Sequence, residues 1–192
     1  MAHIKIPNNL PGMRGLHAFR PEMGRLMNRL ANLVMRDEGA LPPAERELIA
    51  SFVSSLNDCH YCHTSHGAVA AEYLGGDEEL VRQIRTDYMN APVSDKFKAL
   101  LTIAGKVQRG GKHVTAEDVE HARELGASDM EIHDTVLIAS RFCLANRYVD
   151  GLATDAPTDM EGYRKRAAEI VEKGYGSAQP PANASPAGPA KD

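Results

Sequence analysis

Glu45-Arg-Glu-Leu-Ile-Ala-Ser-Phe-Val-Ser-Ser-Leu-Asn-Asp-Cys-His-Tyr-Cys-His-Thr-Ser-His66 is the stretch from which the fold is read. Its first half predicts a helix from about Ala44 to Asn57, opened by Pro42-Pro43, because proline is tolerated in a first turn. Leu48, Ile49, Phe52, Val53 and Leu56 recur at helical spacing as an apolar stripe. Glu47, Ala50, Ser51 and Ser54 form a second stripe of small residues, against which a neighbouring helix can come close. Glu47 heads it, within reach of an imidazole on the next helix. The first turn of a helix also favours an acid for its dipole alone. Asn57-Asp58 are residue types that cap helix starts, so a second helix is expected there, ending at Gly75-Gly76. On it Cys59, Cys62, His66, Val69 and Tyr73 share one face, spaced by three and four residues. Both thiols and His66 are therefore expected inside or at the rim of a cleft.

The flanks read as helix as well. Met23, Leu26, Met27, Leu30, Leu33 and Val34 keep helical spacing over Pro21–Arg36, and Gly39 breaks that helix. Further helices are predicted at 77–88, 94–109, 115–125, 128–153 and 158–173. Ser94, Thr115 and Ser128 sit where N-caps belong, and Thr115-Ala-Glu-Asp118 and Ser128-Asp-Met-Glu131 have capping-box spacing. Residues 1–12, with Pro7 and Pro11, read as irregular. Sustained alternation and Asn-Gly or Asp-Gly hairpin signals are missing, and the class is all-α. Ala71-Glu-Tyr-Leu-Gly-Gly-Asp-Glu-Glu-Leu80 echoes Ala122-Arg-Glu-Leu-Gly-Ala-Ser-Asp-Met-Glu-Ile132, which points to two related helical units. Residues 1–175 are expected to form one helical domain. From Gly176 to Asp192, 13 of 17 residues are Gly, Ala, Ser or Pro, too little apolar bulk to offset ordering, so a disordered tail is expected.

Composition narrows the function. A chain of 192 residues with 43% hydrophobic and 25% charged side chains can bury a real core as a soluble protein. No apolar run approaches the roughly 20 residues of a bilayer span. A net charge of −4 without a basic cluster argues against nucleic acid or a membrane surface as partner. The start, Met1-Ala-His-Ile-Lys-Ile-Pro7, lacks a charged-then-apolar signal layout, which predicts a cytoplasmic protein. Three cysteines do not make a disulfide framework, and in a reducing compartment a close pair is catalytic or metal-binding.

The pair is Cys59 and Cys62. At a helix start the two sulfurs come close enough to bridge, and the dipole favours a thiolate. His66, one turn beyond Cys62, can accept a thiol proton or return it to a leaving oxygen. Those two abilities are what hydroperoxide reduction requires. Other chemistries use the same residues. Cys59-His-Tyr-Cys-His63 is literally a haem-attachment sequence with His63 as axial ligand. Cys59 and Cys62 with His63 or His66, and Cys143 or another His as a fourth ligand, make a zinc reading. A helical oligomer that senses oxidants, or binds a small ligand in the same cleft, is the non-enzymatic reading. Cys143 reads as a small buried residue, His113, His121 and His133 as surface or cap residues, and Arg147 with Asp150 as an intrahelical or subunit-contact ion pair.

Glu47, twelve positions on Cys59, then Cys62, and His66 four beyond it: this spacing resembles the motif of alkylhydroperoxidase D-like proteins of the carboxymuconolactone decarboxylase superfamily. Arg20-Pro-Glu22, Leu41-Pro-Pro43, Asp95-Lys96, Lys106-Val107 and Asn146-Arg147 are similar to the peroxidase-related branch, and the likeness runs over about residues 10–153. The resemblance implies an all-α fold, a trimer or larger ring, and thiol peroxidase chemistry without metal or bound organic cofactor. It implies that Cys62 is the peroxidatic thiol, Cys59 the resolving one, and that His66 and Glu47 relay the proton. It implies as partners a hydroperoxide, a dithiol reductant and further copies of the chain. Members resembling this motif carry His immediately before the second cysteine, where this chain has Tyr61. Decarboxylase members lack the cysteine pair, so lactone decarboxylation is not implied.

Overall fold

The computed structural model describes residues 2–7 and 10–177. Among the described residues there are nine α-helices and no strand, as an all-α reading requires. They are α1 (Gly12–Phe19), α2 (Pro21–Met35), α3 (Pro43–Leu56), α4 (His60–Tyr73), α5 (Glu78–Asp87), α6 (Asp95–Arg109), α7 (Ala116–Glu124), α8 (Asp129–Gly151) and α9 (Met160–Lys173). Ser94 accepts from the Phe97 amide, and both expected capping boxes form, Thr115 with Asp118 and Ser128 with Glu131. The internal echo has a local cause. In each copy a six-residue backbone bond closes a helix end, Gly76 N to Ala71 O at 2.8 Å and Ala127 N to Ala122 O at 2.9 Å. Gly75 and Gly126 take the left-handed conformation there, and a capped helix follows at Asp77 or Ser128.

The centre is α3. Every residue from Arg46 to Ser54 is buried, because α4, α5, α6 and α8 surround it. Ile49 and Val53 meet Leu100, Leu101 and Ile103 of α6 and Ile138 and Phe142 of α8 in one core. Each such side chain contributes about 1.5–3 kcal/mol on leaving water. Even the buried Arg46 is satisfied, donating to the carbonyls of Leu41 at 2.7 Å and Asp37 at 2.8 Å. Helix α9 lies across α4. Its last turn is fixed by Arg36, which donates to the Ile170 and Val171 carbonyls.

Two expectations change. The start of α4 is not capped by Asn57 or Asp58: the N-cap is Cys59, without a side-chain cap bond, and Asp58 turns through φ 56°. Asn57 instead donates to Asn146 Oδ1 at 2.8 Å and accepts from Gln108 at 2.9 Å, joining α3 to α8 and α6. Helix α1 lies where the pattern assigns no element. It begins at Gly12, with φ 52°, and an ideal Cβ there would fall 2.2 Å from the Tyr61 ring. Gly12→Ala therefore costs left-handed strain, about 1–3 kcal/mol, before the clash is counted. We expect the thermal midpoint to fall by about 5 °C or more. An unchanged melting curve would mean that α1 does not dock through this contact. The tail expected from Gly176 falls, for residues 178–192, outside the described residues. No described helix is long and apolar enough to cross a membrane.

Candidate active site

The small-residue stripe of α3 does what its composition suggests. Gly67 of α4 rides over Ser51, where a Cβ would stand 3.1 Å from the hydroxyl, and that hydroxyl donates to the His63 carbonyl at 2.9 Å. This close approach sets His66 over Glu47. His66 Nδ1 lies 2.7 Å from Glu47 Oε2, and Glu47 is fully buried. Its other oxygen accepts from the Tyr175 hydroxyl at 2.5 Å, which also lies 3.3 Å from His66 Nδ1. Burial, then the Glu47 charge, holds the Tyr175 phenol well above its usual range, so it stays a donor. A carboxylate on Nδ1 fixes the ring and turns Nε2 to exchange protons elsewhere. Tyr175 follows the end of α9, where Asn32 holds its backbone, accepting from the amide at 2.9 Å and donating to the carbonyl at 3.0 Å.

Cys59 and Cys62 are free thiols, both buried and packed in one small cluster with Leu16 and Val149. Their environments are unequal. Interaction with Cys62, then burial, pushes Cys59 far above the usual thiol range. Cys62 is lowered, first by Cys59, and against burial it gains a hydrogen bond from Asn146 and the nearby charge of Arg141. Asn146, itself buried, also donates to Ser54 at 3.0 Å. Burial raises the Asp150 carboxyl above the usual range, and the neighbouring Cys59 works against that rise.

Cys62 and His66 open onto one cavity of about 100 Å³, walled by α1, α4, α8, α9 and Tyr175. No hydrogen bond joins Cys62 directly to His66 among the described residues. The His66 ring stands edge-on to Phe142, centroids 4.4 Å apart. Cys59 lies behind Cys62 and Glu47 behind His66, neither on the cavity wall. The four residues singled out by spacing thus gather as two contacting pairs, one thiol and one imidazole facing the same space.

Tyr61, the departure from the motif, is a packing residue. It touches Tyr163 of α9 at 6.1 Å between centroids and covers Gly12 of α1, and burial pushes its phenol up to about 12. His63 faces α5, its Nδ1 2.6 Å from Arg85, and burial with that cation lowers it to about 4. Its partner is therefore a guanidinium on the far side of α4, and His66 is engaged by Glu47. No three His, Cys, Asp or Glu side chains among the described residues are grouped to hold a metal. Side-chain placement thus gives neither the zinc nor the haem reading its donor set. Within one chain, among the described residues, Arg147 and Asp150 form no ion pair: Arg147 donates to the Cys143 carbonyl at 2.9 Å. Cys143 is half-buried against the core, and His113, His121 and His133 are exposed.

The spacing missed Tyr175, Arg141, Asn146, Asp150 and His17. The only local hint for Tyr175 is an aromatic between Gly174 and Gly176.

The Carboxymuconolactone decarboxylase family pattern matches residues 21–88, a span that contains Glu47, Cys59, Cys62 and His66. A peroxidase-related protein from Silicibacter sp. TM1040 is 30% identical, covers 80% of this chain over 78% of its own, and superposes with a TM-score of 0.72. A peroxidase-related protein from Ralstonia eutropha JMP134, described as an alkylhydroperoxidase AhpD core, is 24% identical over 85% of this chain and 96% of its own, with a TM-score of 0.76. The debrominase Bmp8, solved with 2,3,4-tribromopyrrole, shares the fold at 15% identity, over 82% of this chain and 83% of its own, with a TM-score of 0.67. No curated protein matches the chain in sequence.

Proposed function

The chain belongs to the carboxymuconolactone decarboxylase superfamily, as an alkylhydroperoxidase D-like, peroxidase-related protein, and on that premise we propose that it reduces hydroperoxides through a Cys59–Cys62 dithiol/disulfide cycle. The observation that carries this reading is the placement of the two buried thiols: Cys62 faces the cavity, with His66 on the same wall, and Cys59 lies behind it.

Cys62 gives its proton to His66 across the cavity, through a water or the substrate itself. The thiolate attacks one peroxide oxygen: an S–O bond forms, the O–O bond breaks, and the alkoxide takes the proton back from His66 to leave as an alcohol. Glu47 holds the ring and stabilises its cationic form, and Tyr175 holds Glu47. Cys59 then attacks the Cys62 sulfenic acid. An S–S bond forms and hydroxide leaves, taking up a proton to become water, while Asp150 stands ready to accept the Cys59 proton. An external dithiol supplies the two electrons and two protons that reopen the disulfide.

The test is stoichiometric. Reduced protein mixed with one equivalent of tert-butyl hydroperoxide should lose two thiols per chain, yield one equivalent of alcohol, and show Cys59 linked to Cys62 by peptide mapping. An unchanged thiol titre would contradict the reading.

We further propose a cytoplasmic homo-oligomer, a trimer or hexamer. Met23, Leu26, Leu30 and Leu33 form an exposed apolar seam on α2, and Met130, Leu137 and Leu144 recur every seven residues on α8, also exposed. Seams of this kind on a monomer surface mark association. Leu26→Glu with Leu30→Glu should lower the sedimentation mass towards one chain. A wild type that already sediments as a monomer would refute the assembly.

A further inference from the structure

The cavity in front of Cys62 has a charge pattern that peroxide reduction alone does not use. Two buried polar side-chain atoms in the described structure lack a hydrogen-bond partner, Arg141 Nη1 and His17 Nε2. They come from different helices, α8 and α1, and both residues line this one cavity. Buried polar groups are nearly always paired, and an unpaired guanidinium nitrogen is expensive to keep. The same fold satisfies its fully buried arginine, Arg46, entirely with backbone carbonyls.

Resting on the thiol-peroxidase reading, we propose that the cavity takes a substrate with an anionic head, a carboxylate, bound between Arg141 and His17 while its hydroperoxide end faces Cys62. The surroundings fit such a molecule. Arg14 stands exposed at the cavity and Arg166 half-buried, the latter already donating to Glu169 at 2.8 Å. No Asp or Glu lines the wall, and Glu47 behind it spends both oxygens on His66 and Tyr175. The cavity wall is therefore rich in cations, with Glu47 behind it and Cys62 on it as the nearby groups that can carry negative charge. Phe142, Val69 and Ile170 supply an apolar surface for the organic body, and the Arg141 guanidinium is steadied 4.8 Å over the Phe142 ring. In the free protein burial, aided by the Arg141 charge, lowers His17 to about 4, so its ring is neutral at pH 7. An arriving carboxylate reverses that environment and gives both nitrogens an acceptor.

The γ-hydroperoxide of isocaproic acid and its methyl ester have the same reacting end and differ in charge. Wild type should be oxidised about tenfold faster or more by the acid than by the ester, the effect of one charge-assisted contact. Arg141→Gln should bring that ratio to about one, and Arg141→Lys should keep most of it. A ratio near one in wild type, with Arg141→Gln slowing both substrates alike, would overturn the proposal and leave Arg141 acting only on the Cys62 thiolate. Calorimetry with isocaproate and its amide, neither of which reacts with thiols, decides the matter independently of turnover. Binding of the acid alone, lost in Arg141→Gln, supports the anion site. No binding, or equal binding of acid and amide, sinks it whatever the peroxidase assay gives. Unoxidised thiols with intact isocaproate binding would mean that the peroxidase reading fails while the anion site stands.

Discussion

Cys62→Ser ends hydroperoxide consumption: the rate falls by more than about 1,000-fold, to the uncatalysed background, and no sulfenic acid forms. A serine hydroxyl at this place is neither ionised nor a soft nucleophile towards oxygen, and no other thiol faces the cavity. Cys59→Ser behaves differently. It still consumes one equivalent of hydroperoxide and then stops, holding a sulfenic acid that dimedone captures, because the attacking sulfur is present and its resolving partner is not. The assignment follows from placement. Cys62 is on the cavity wall and its thiol is lowered by Cys59, by Asn146 and by Arg141. Cys59 lies behind it with its thiol raised. Loss of Cys59 removes one favourable interaction from Cys62, so its first oxidation should slow by a modest factor only. Dimedone capture in Cys62→Ser, and none in Cys59→Ser, would exchange the two roles.

The second large effect belongs to Glu47, a positioning residue that touches no reacting atom. Glu47→Gln should slow disulfide formation with hydroperoxide by about 100-fold, the scale of a lost proton transfer. Glutamine has the right shape but no charge to stabilise a protonated His66. Its amide also turns one N–H group towards a donor, either His66 Nδ1 or the Tyr175 hydroxyl. Tyr175→Phe leaves the Glu47–His66 pair intact, and a loss of about tenfold is expected. A merely structural role would slow every reaction of Cys62, so the control is iodoacetamide. Its iodide leaves without a proton, whereas the alkoxide from a hydroperoxide needs one. Alkylation in Glu47→Gln, which loses only the help His66 gives to Cys62 ionisation, should fall by clearly less than hydroperoxide reduction, and Glu47→Asp should recover part of the hydroperoxide rate. If alkylation and peroxide reduction fall together, Glu47 serves the fold and not the proton.

Much of this was legible before any coordinates because the information is local. Proline before α3, the capping boxes of α7 and α8 and the Gly75 and Gly126 stops each act within a few residues, and the ends of the expected helices lie within three residues of the observed ones. The Glu47–His66 pair was legible too, since adjacent helices joined by a short turn must lie side by side, and Ser51 with Gly67 fixes how closely. Helix α1 was hidden by its length of eight residues and by two glycines, which weaken any helical pattern. Tyr175 was hidden for another reason: only α9 folding back across α4, with Asn32 holding the chain, carries it 128 positions away to Glu47. Helix α8 is buried on several sides along its 23 residues. Nothing in its own pattern says that Arg141, Asn146 and Asp150 face the thiols; α3 and α4 decide that by where they pack. Tyr61 read as a missing relay histidine, and the structure makes it the contact that holds α1 and α9 against α4.

The most direct measurement is the second-order rate constant of Cys59–Cys62 disulfide formation when reduced wild-type protein meets one equivalent of organic hydroperoxide in a stopped-flow instrument, with Glu47→Gln alongside. A tuned peroxidatic centre predicts a constant at least about a hundredfold above that of free cysteine at the same pH, and most of that advantage lost in the variant. A constant no greater than that of free cysteine, equal in the two proteins, would contradict the account.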